Sequence, residues 1–258
     1  MNKTALITGA SSGIGMELAT VFAKQKENLV LVARNAAKLE EMAKELTSKH
    51  GIKVSVLAID LSELNSAQKV FDYCQKNNLH IDYLINNAGF GDFGLFAESK
   101  WEKQFQTINL NITTLTHLTH LFLPTMIKNN YGKIMNVAST AAFQPGPTMS
   151  VYYATKAFVL HFSEAIANEL EGSGVTVTAL CPGATESGFQ SAAAMEESKL
   201  VKGKKLPTSL EVAEYGYNAM MKGEKVAIHG MMNYLMANSV RFSPRAMVLK
   251  MVRMMQDK

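Results

Sequence analysis

The sequence predicts an α/β chain: a doubly wound, seven-stranded parallel sheet in one domain, followed by a helical C-terminal tail. Short apolar runs alternate with longer amphipathic ones from the start, the pattern of a parallel sheet covered by helices on both faces. The first apolar run leads straight into a glycine-rich stretch, where a strand passes into a helix. At 258 residues and 47% hydrophobic composition, the chain can bury a sizeable core undivided.

In chain order, Thr4 to Ile7 forms the first buried strand and Thr8-Gly9-Ala10-Ser11-Ser12-Gly13-Ile14-Gly15 the turn, with a helix from about Ile14 to Gln25. Glycines between a strand and a helix let the backbone approach a pyrophosphate, and the helix N-terminus turns free N–H groups toward it. The spacing is Gly-x-x-x-Gly-x-Gly, which fits the general dinucleotide fingerprint only loosely. A second strand, Asn28 to Ala33, ends in Arg34 and leads to a helix over about 36–50. In a dinucleotide fold this strand end meets the adenosine ribose, where an arginine suits a 2'-phosphate, so Arg34 favours NADP(H) over NAD(H). A third strand, Lys53 to Ile59, carries Asp60 and Leu61 at its carboxyl end. Asp60 either accepts from an adenine amino group or caps the helix that begins near Leu64.

The fourth strand, Ile81 to Ile85, runs into Asn86-Asn87-Ala88-Gly89, small residues and amides beside a flat ligand. The loop from Phe90 to Phe96 is too apolar for an idle surface turn and suits a substrate wall or a subunit contact. From Trp101 to about Lys128, apolar residues recur every three to four positions, marking one helix or two in line, closed by Pro124. The fifth strand, Gly132 to Ala138, ends in Ser139, and the Gln144 to Pro147 bend separates it from the helix of Tyr152 and Lys156. A sixth strand, Val175 to Leu180, is followed by Cys181-Pro182-Gly183-Ala184-Thr185-Glu186-Ser187. Gly188 to Pro207 lacks a sustained apolar period and reads as a mobile lid, with a plain solvated excursion as the alternative. A helix over Thr208 to Met221 and a strand over Lys225 to His229 complete the sheet.

Composition narrows the partners. A net charge of +4 with 19% charged residues is mild, and no basic block interleaved with aromatics suggests a nucleic-acid groove. Cys74 and Cys181 lack partners at metal spacing, and two thiols in a chain of this size point to a reducing, cytoplasmic setting. The N-terminus is too short in apolar residues for a secretory signal, and no run approaches the roughly 18 apolar residues of a membrane span. The tail from Met231 to Lys258, with Met220 and Met221, holds more than half of the 16 methionines, interleaved with Arg241, Arg245, Lys250 and Arg253. Packing within the protein or between subunits is favoured for it over contact with a membrane surface.

Tyr152 and Lys156 stand four apart, on one helical face. For a phenol to exchange its proton near neutrality asks for about 4 kcal/mol. A cation about 4 Å away at an effective dielectric of about 20 supplies that much. Any helix can carry such a pair, so its meaning depends on the rest of the chain.

In order along about positions 3 to 230, Thr8-Gly9-x-x-x-Gly13-x-Gly15, Asn86-Asn87-Ala88-Gly89, Asn109, Ser139, Tyr152-x-x-x-Lys156 and Pro182-Gly183 closely resemble the short-chain dehydrogenase/reductase family, in its shorter single-domain type. The resemblance implies a Rossmann-type fold with a dinucleotide-binding and catalytic unit over 1–230, extended by an amphipathic helical segment over 231–258. It implies hydride transfer between a nicotinamide cofactor and a carbon bearing oxygen. Tyr152 would be the acid in carbonyl reduction and the base in alcohol oxidation. Lys156 would lower its pKa and hold the nicotinamide ribose, Ser139 would bind the substrate oxygen, and Asn109 would anchor a water leading to Lys156. Gly9, Ser11, Ser12, Gly13, Ile14 and Gly15 would line the pyrophosphate, Arg34, Asp60 and Leu61 the adenosine end, Asn87, Ala88 and Gly89 the nicotinamide-side ribose, and Pro182, Gly183 and Thr185 the nicotinamide. Phe90, Phe93, Phe143 and Phe189 suggest an apolar substrate pocket. Ser187 replaces the family's usual threonine, and Ser12 stands where many NADP-dependent members carry a basic residue. The implied protein is an NADP(H)-dependent carbonyl reductase or alcohol dehydrogenase acting as a homodimer or homotetramer. An NAD(H)-dependent alcohol dehydrogenase and a non-catalytic dinucleotide sensor are the alternatives.

Overall fold

A computed structural model describes residues 2–189, 193, 203 and 205–256, so most of the expected Gly188–Pro207 lid lies outside the described residues. Seven strands, β1 (Thr4–Thr8), β2 (Asn28–Ala33), β3 (Val54–Ala58), β4 (Tyr83–Asn86), β5 (Gly132–Val137), β6 (Val175–Cys181) and β7 (Val226–Ile228), form one parallel sheet in the order β3-β2-β1-β4-β5-β6-β7. The order reverses between β1 and β4, and the crevice beyond their carboxyl ends is where ligands bind in open sheets of this kind.

Both faces of the sheet are buried because successive strand residues point to opposite sides. Ala5, Ile7, Leu29, Leu31 and Ile85 meet α1 (Gly13–Lys24), α2 (Ala36–His50) and α7 (Ser209–Lys222). Leu6, Val30, Val32, Leu84, Ile134 and Val177 meet α3 (Ser66–Lys76), α5 (Leu115–Lys128) and α6 (Ser150–Glu169). Local signals fix several helix ends. Thr208 and Glu211 form a reciprocal capping box at the start of α7, and Gly51 and Gly223 end α2 and α7 in the left-handed conformation.

Pro124 does not close its helix but sits inside α5. The lost hydrogen bond would have come to the carbonyl of His120, and both residues are exposed, so water can take the place of the missing donor. Between α4 (Trp101–Ile108) and α5 the helix widens into a π-turn over Asn109–Thr114. The tail folds as α8 (Met231–Ser239), a 3-10 turn over Val240–Phe242, and α9 (Arg245–Gln256). The two cysteines are fully buried, and burial pushes both thiols up to about 12.

Candidate active site

The glycine turn places backbone where side chains would otherwise stand. Gly9 and Gly13 adopt left-handed conformations, at φ 66° and 54°. A methyl group on Gly9 would lie 2.8 Å from Asn87 Nδ2, and one on Gly15 would collide with the Gly9 carbonyl oxygen. Ser12 precedes α1 in extended conformation, and its side chain makes no capping bond to the helix. The first-turn N–H groups therefore keep their capacity for an outside acceptor, and the cradle fits a pyrophosphate. Ser187 reaches the same loop: its Cβ lies 3.2 Å from where a Gly13 Cβ would be.

Asn87 turns toward this loop. Its Nδ2 donates to the carbonyls of Thr8 (2.9 Å) and Gly9 (3.3 Å), bracing β1 against β4. The Thr8 hydroxyl accepts from the N–H groups of Asn87 and Ala88, each at 3.0 Å.

At the adenosine end, Asp60 Oδ1 accepts from the N–H (2.9 Å) and hydroxyl (2.7 Å) of Ser62, while Arg34 Nη1 stands 3.8 Å from Asp60 Oδ2. Burial alone would raise the Asp60 pKa, but the two Ser62 hydrogen bonds and Arg34 outweigh it and hold the carboxyl below its usual value. Asp60 thus caps its own turn, with α3 starting only at Ser66. The carbonyl of buried Leu61 accepts from the hydroxyls of Ser66 (3.0 Å) and Thr114 (2.8 Å).

The catalytic candidates meet across the ends of β5 and β6. Ser139 caps the 3-10 turn Thr140–Phe143, accepting from the Ala141 N–H at 3.1 Å, and its hydroxyl points to the Pro182 carbonyl at 3.4 Å. The same hydroxyl acts on the Tyr152 phenol and draws its pKa down. Tyr152 lies in the first turn of α6, its ring packed against Gly91, where a methyl would come within 2.9 Å of Cδ2. Burial raises the phenol's pKa, against which the Ser139 hydrogen bond works in the opposite direction.

Lys156 is buried, and its Nζ donates to the Val137 carbonyl at 2.7 Å and stands 5.7 Å from the centre of the Tyr152 ring. Burial lowers its pKa to about 8. The expected lowering of the Tyr152 pKa by Lys156 is therefore not present in the protein alone. Desolvation dominates both groups, and the ammonium is directed at a carbonyl.

The expected asparagine needs correction. Asn109 is buried, but its Nδ2 donates to the Ser62 carbonyl at 2.7 Å, toward the β3 end. Asn111, two residues on, faces Lys156 instead. A methyl on Gly89 would lie 3.0 Å from Asn111 Oδ1 and 3.3 Å from Lys156 Nζ, so these two atoms border one gap. Asn111 is held by Phe90, donating to its carbonyl (3.0 Å) and accepting from its N–H (3.3 Å), and by the Thr155 hydroxyl (3.0 Å). Two positions along a helix point to nearly opposite sides, and the π-turn selects which asparagine enters the site.

Of the four expected pocket phenylalanines, Phe93 and Phe189 pack around Tyr152, with the Phe189 ring centre 5.2 Å from that of Tyr152. Phe90 instead packs into the core beside α3 and α5, and Phe143 against Leu160 and Val159 of α6. The tail supplies the remaining wall. Val248 and Val252 of α9 join Met149, Tyr153 and Ala141, and fully buried Gln256 donates to the Tyr153 hydroxyl and accepts from Thr148 (3.1 Å). Tyr153, the phenol next to Tyr152 in sequence, is thereby tied to the tail. Asn233 of α8 presses on Gly183, where an added methyl would lie 2.5 Å from its Nδ2. Thr185 is buried, its hydroxyl donating to the Gly183 carbonyl at 3.0 Å. No spacing rule pointed to Asn111, Gly91, Asn233 or Gln256; a Val-x-x-x-Val-x-x-x-Gln period was the one sign that α9 has an inner face.

Known proteins resemble this chain in sequence and fold. Serine 3-dehydrogenase of Agrobacterium fabrum is 38% identical over 73% of the chain and 74% of its own length. A short chain dehydrogenase of Pseudocercospora fijiensis is 33% identical over 72% of the chain, a match that spans 60% of that relative's length. A short-chain dehydrogenase from Sphingobium yanoikuyae, solved in complex with NADPH, superposes with a TM-score of 0.82 at 33% identity, covering 93% of this chain and 94% of that one. With residues 3–198 matching the short chain dehydrogenase family as a whole, the chain belongs to that family.

Proposed function

We propose that the protein reduces a ketone or aldehyde with NADP(H), or oxidises the matching alcohol, with Tyr152 as the general acid and base. The observation that carries this reading is the meeting of Ser139, Tyr152, Lys156 and Asn111 at the carboxyl edge of the sheet, beside a glycine cradle. A nicotinamide dinucleotide bound there supplies the hydride. Gly9, Ser11, Ser12, Gly13, Ile14 and Gly15 hold its pyrophosphate, and Leu61 and Asp60 border its adenine. Ala88, Gly89 and Lys156 hold the near ribose, and Pro182, Gly183 and Thr185 border the nicotinamide. Asn87 contributes by fixing the glycine loop.

Tyr152, kept protonated by burial, donates to the carbonyl oxygen as charge develops on it. Ser139 donates a hydrogen bond to the same oxygen and stabilises that charge. Lys156, with its pKa near 8, can return a proton through the gap it shares with Asn111. Arg34, beside Asp60 at the end of β2, supports a 2'-phosphate and hence NADP(H). Self-association through α4 and α6 fits the exposed Trp101, Phe105 and Phe158 on those helices.

The test is a panel of carbonyl compounds of varied chain length, assayed with NADPH and NADH in parallel. Turnover is expected with NADPH and lost in Tyr152→Phe, which should retain NADPH binding. Tight NADPH binding without turnover on any member of the panel would favour the sensor reading instead.

A further inference from the structure

The tail's inner face is accounted for, but its outer face is not. Val248, Val252 and Gln256 bury one side of α9, while Met247 and Met254, nearly opposite, are 61% and 63% exposed. In α8, Ala237 is the one buried residue of the helix, and Met231, Met232 and Leu235 are all exposed. Phe242, in the turn between the two helices, is 88% exposed. The sequence from Met231 to Lys258 contains a single acid, Asp257, against Arg241, Arg245, Lys250, Arg253 and Lys258. Exposed apolar side chains among a clear excess of cations are the composition of a surface that binds anionic lipid.

We propose that α8, α9 and the turn between them form a docking face for an anionic lipid bilayer, lying on its surface. No helix among the described residues is long and apolar enough to cross a membrane. A second copy of the chain is the competing occupant, and charge disfavours it. A two-fold contact places a patch against itself, which would set four cations against the same four. The other exposed apolar face, around Trp101 and Phe105, mixes Glu98 and Glu102 with Lys100 and Lys103, and so suits self-contact better.

The experiment is cosedimentation of the full chain with vesicles of phosphatidylcholine alone or with about one third phosphatidylglycerol, at low and high salt. Binding should be roughly tenfold or more tighter on the anionic vesicles and weaken as salt screens it. Met247→Asp with Met254→Asp should reduce binding by about tenfold or more without changing the thermal melt followed by circular dichroism. Arg245→Glu with Lys250→Glu alters exposed charge alone and should weaken anionic binding while leaving the melt in place. Equal partition onto neutral and anionic vesicles, no binding to either, or wild-type binding by both double variants would overturn the proposal. So would aspartate variants that dissociate an oligomer in sedimentation equilibrium, because that result assigns the face to a second copy. None of these readouts uses turnover, so the outcome is independent of the proposed reaction.

Discussion

The carboxyl edge of the sheet is built from backbone at its β1 end and from side chains at its β5–β6 end. Near β1, Gly9, Gly13 and Gly15 bring main chain to the surface of the crevice, and Asn87 and Thr8 spend their polar groups on holding that main chain in place. Near β5 and β6, the chemistry rests on the Ser139 hydroxyl, the Tyr152 phenol, the Lys156 ammonium and the Asn111 amide, each set by a partner from a different element. The difference is functional. Phosphates look the same in every dinucleotide and can be met by fixed N–H groups, whereas a reacting oxygen needs groups that gain and lose protons.

If this division is right, the largest effect belongs to Tyr152→Phe. Carbonyl-dependent NADPH oxidation should fall by about a hundred- to ten-thousandfold. Binding of NADPH, followed by fluorescence titration, should change little. Asn111→Ala should follow, with kcat lower by on the order of a hundredfold, because Phe90 and the gap beside Lys156 lose their support. Asn109→Ala separates the two asparagines. It should leave kcat nearly intact and cost about 1–3 kcal/mol in urea unfolding by orphaning the Ser62 carbonyl. Equal losses of kcat in the two variants would break the assignment.

Arg34→Asp probes the backbone-built end. The preference for NADPH over NADH should drop about ten- to a hundredfold, equivalent to roughly 1–3 kcal/mol, as judged from kcat/KM. An unchanged ratio would remove Arg34 from cofactor choice. The smallest effect is on pH. Lys156 is charged below about 8 and neutral above it, so kcat/KM for reduction should decline as pH rises through that value. Tyr152, its pKa raised, stays protonated across the same range and adds no second fall. A profile flat to pH 10 would show that the charge on Lys156 is not needed.

Much of this was readable from spacing. The alternation of apolar runs predicts all seven strands; β1, β2 and β4, buried nearly throughout, leave short apolar signatures, and the half-buried edge strand β3 is legible from its β-branched and apolar run. The glycine turn and the Tyr152–Lys156 pair are local and survive any uncertainty about distant packing. Asn111 was missed because α-helical counting assumes a regular turn, and nothing around Asn109 announces a π-turn. Asp60, which the sequence leaves open as an adenine partner or a cap, bonds Ser62, and Asn87, expected beside the nicotinamide-side ribose, bonds Thr8 and Gly9, since turns at the ends of strands must first satisfy their own backbone. Phe90 and Phe143 look like pocket residues in sequence and are packing residues in the fold, because composition cannot tell which side of a loop a ring will take. Pro124 marks a helix end by its missing N–H, a rule that does not hold where the orphaned carbonyl is solvated.

The widened turn over Asn109–Thr114 also governs everything downstream of it. It holds one residue more than a regular helical turn would and absorbs it by widening, whereas the loss of one residue from the regular first turn of α5 would rotate the rest of that helix by about 100°. Leu118, Phe122 and Met126 would swing away from the sheet, and Pro124 and His120 would turn toward it. A one-residue deletion in the first turn of α5 should therefore be far more damaging than one within Asn109–Thr114, where a return to regular helix can take it up.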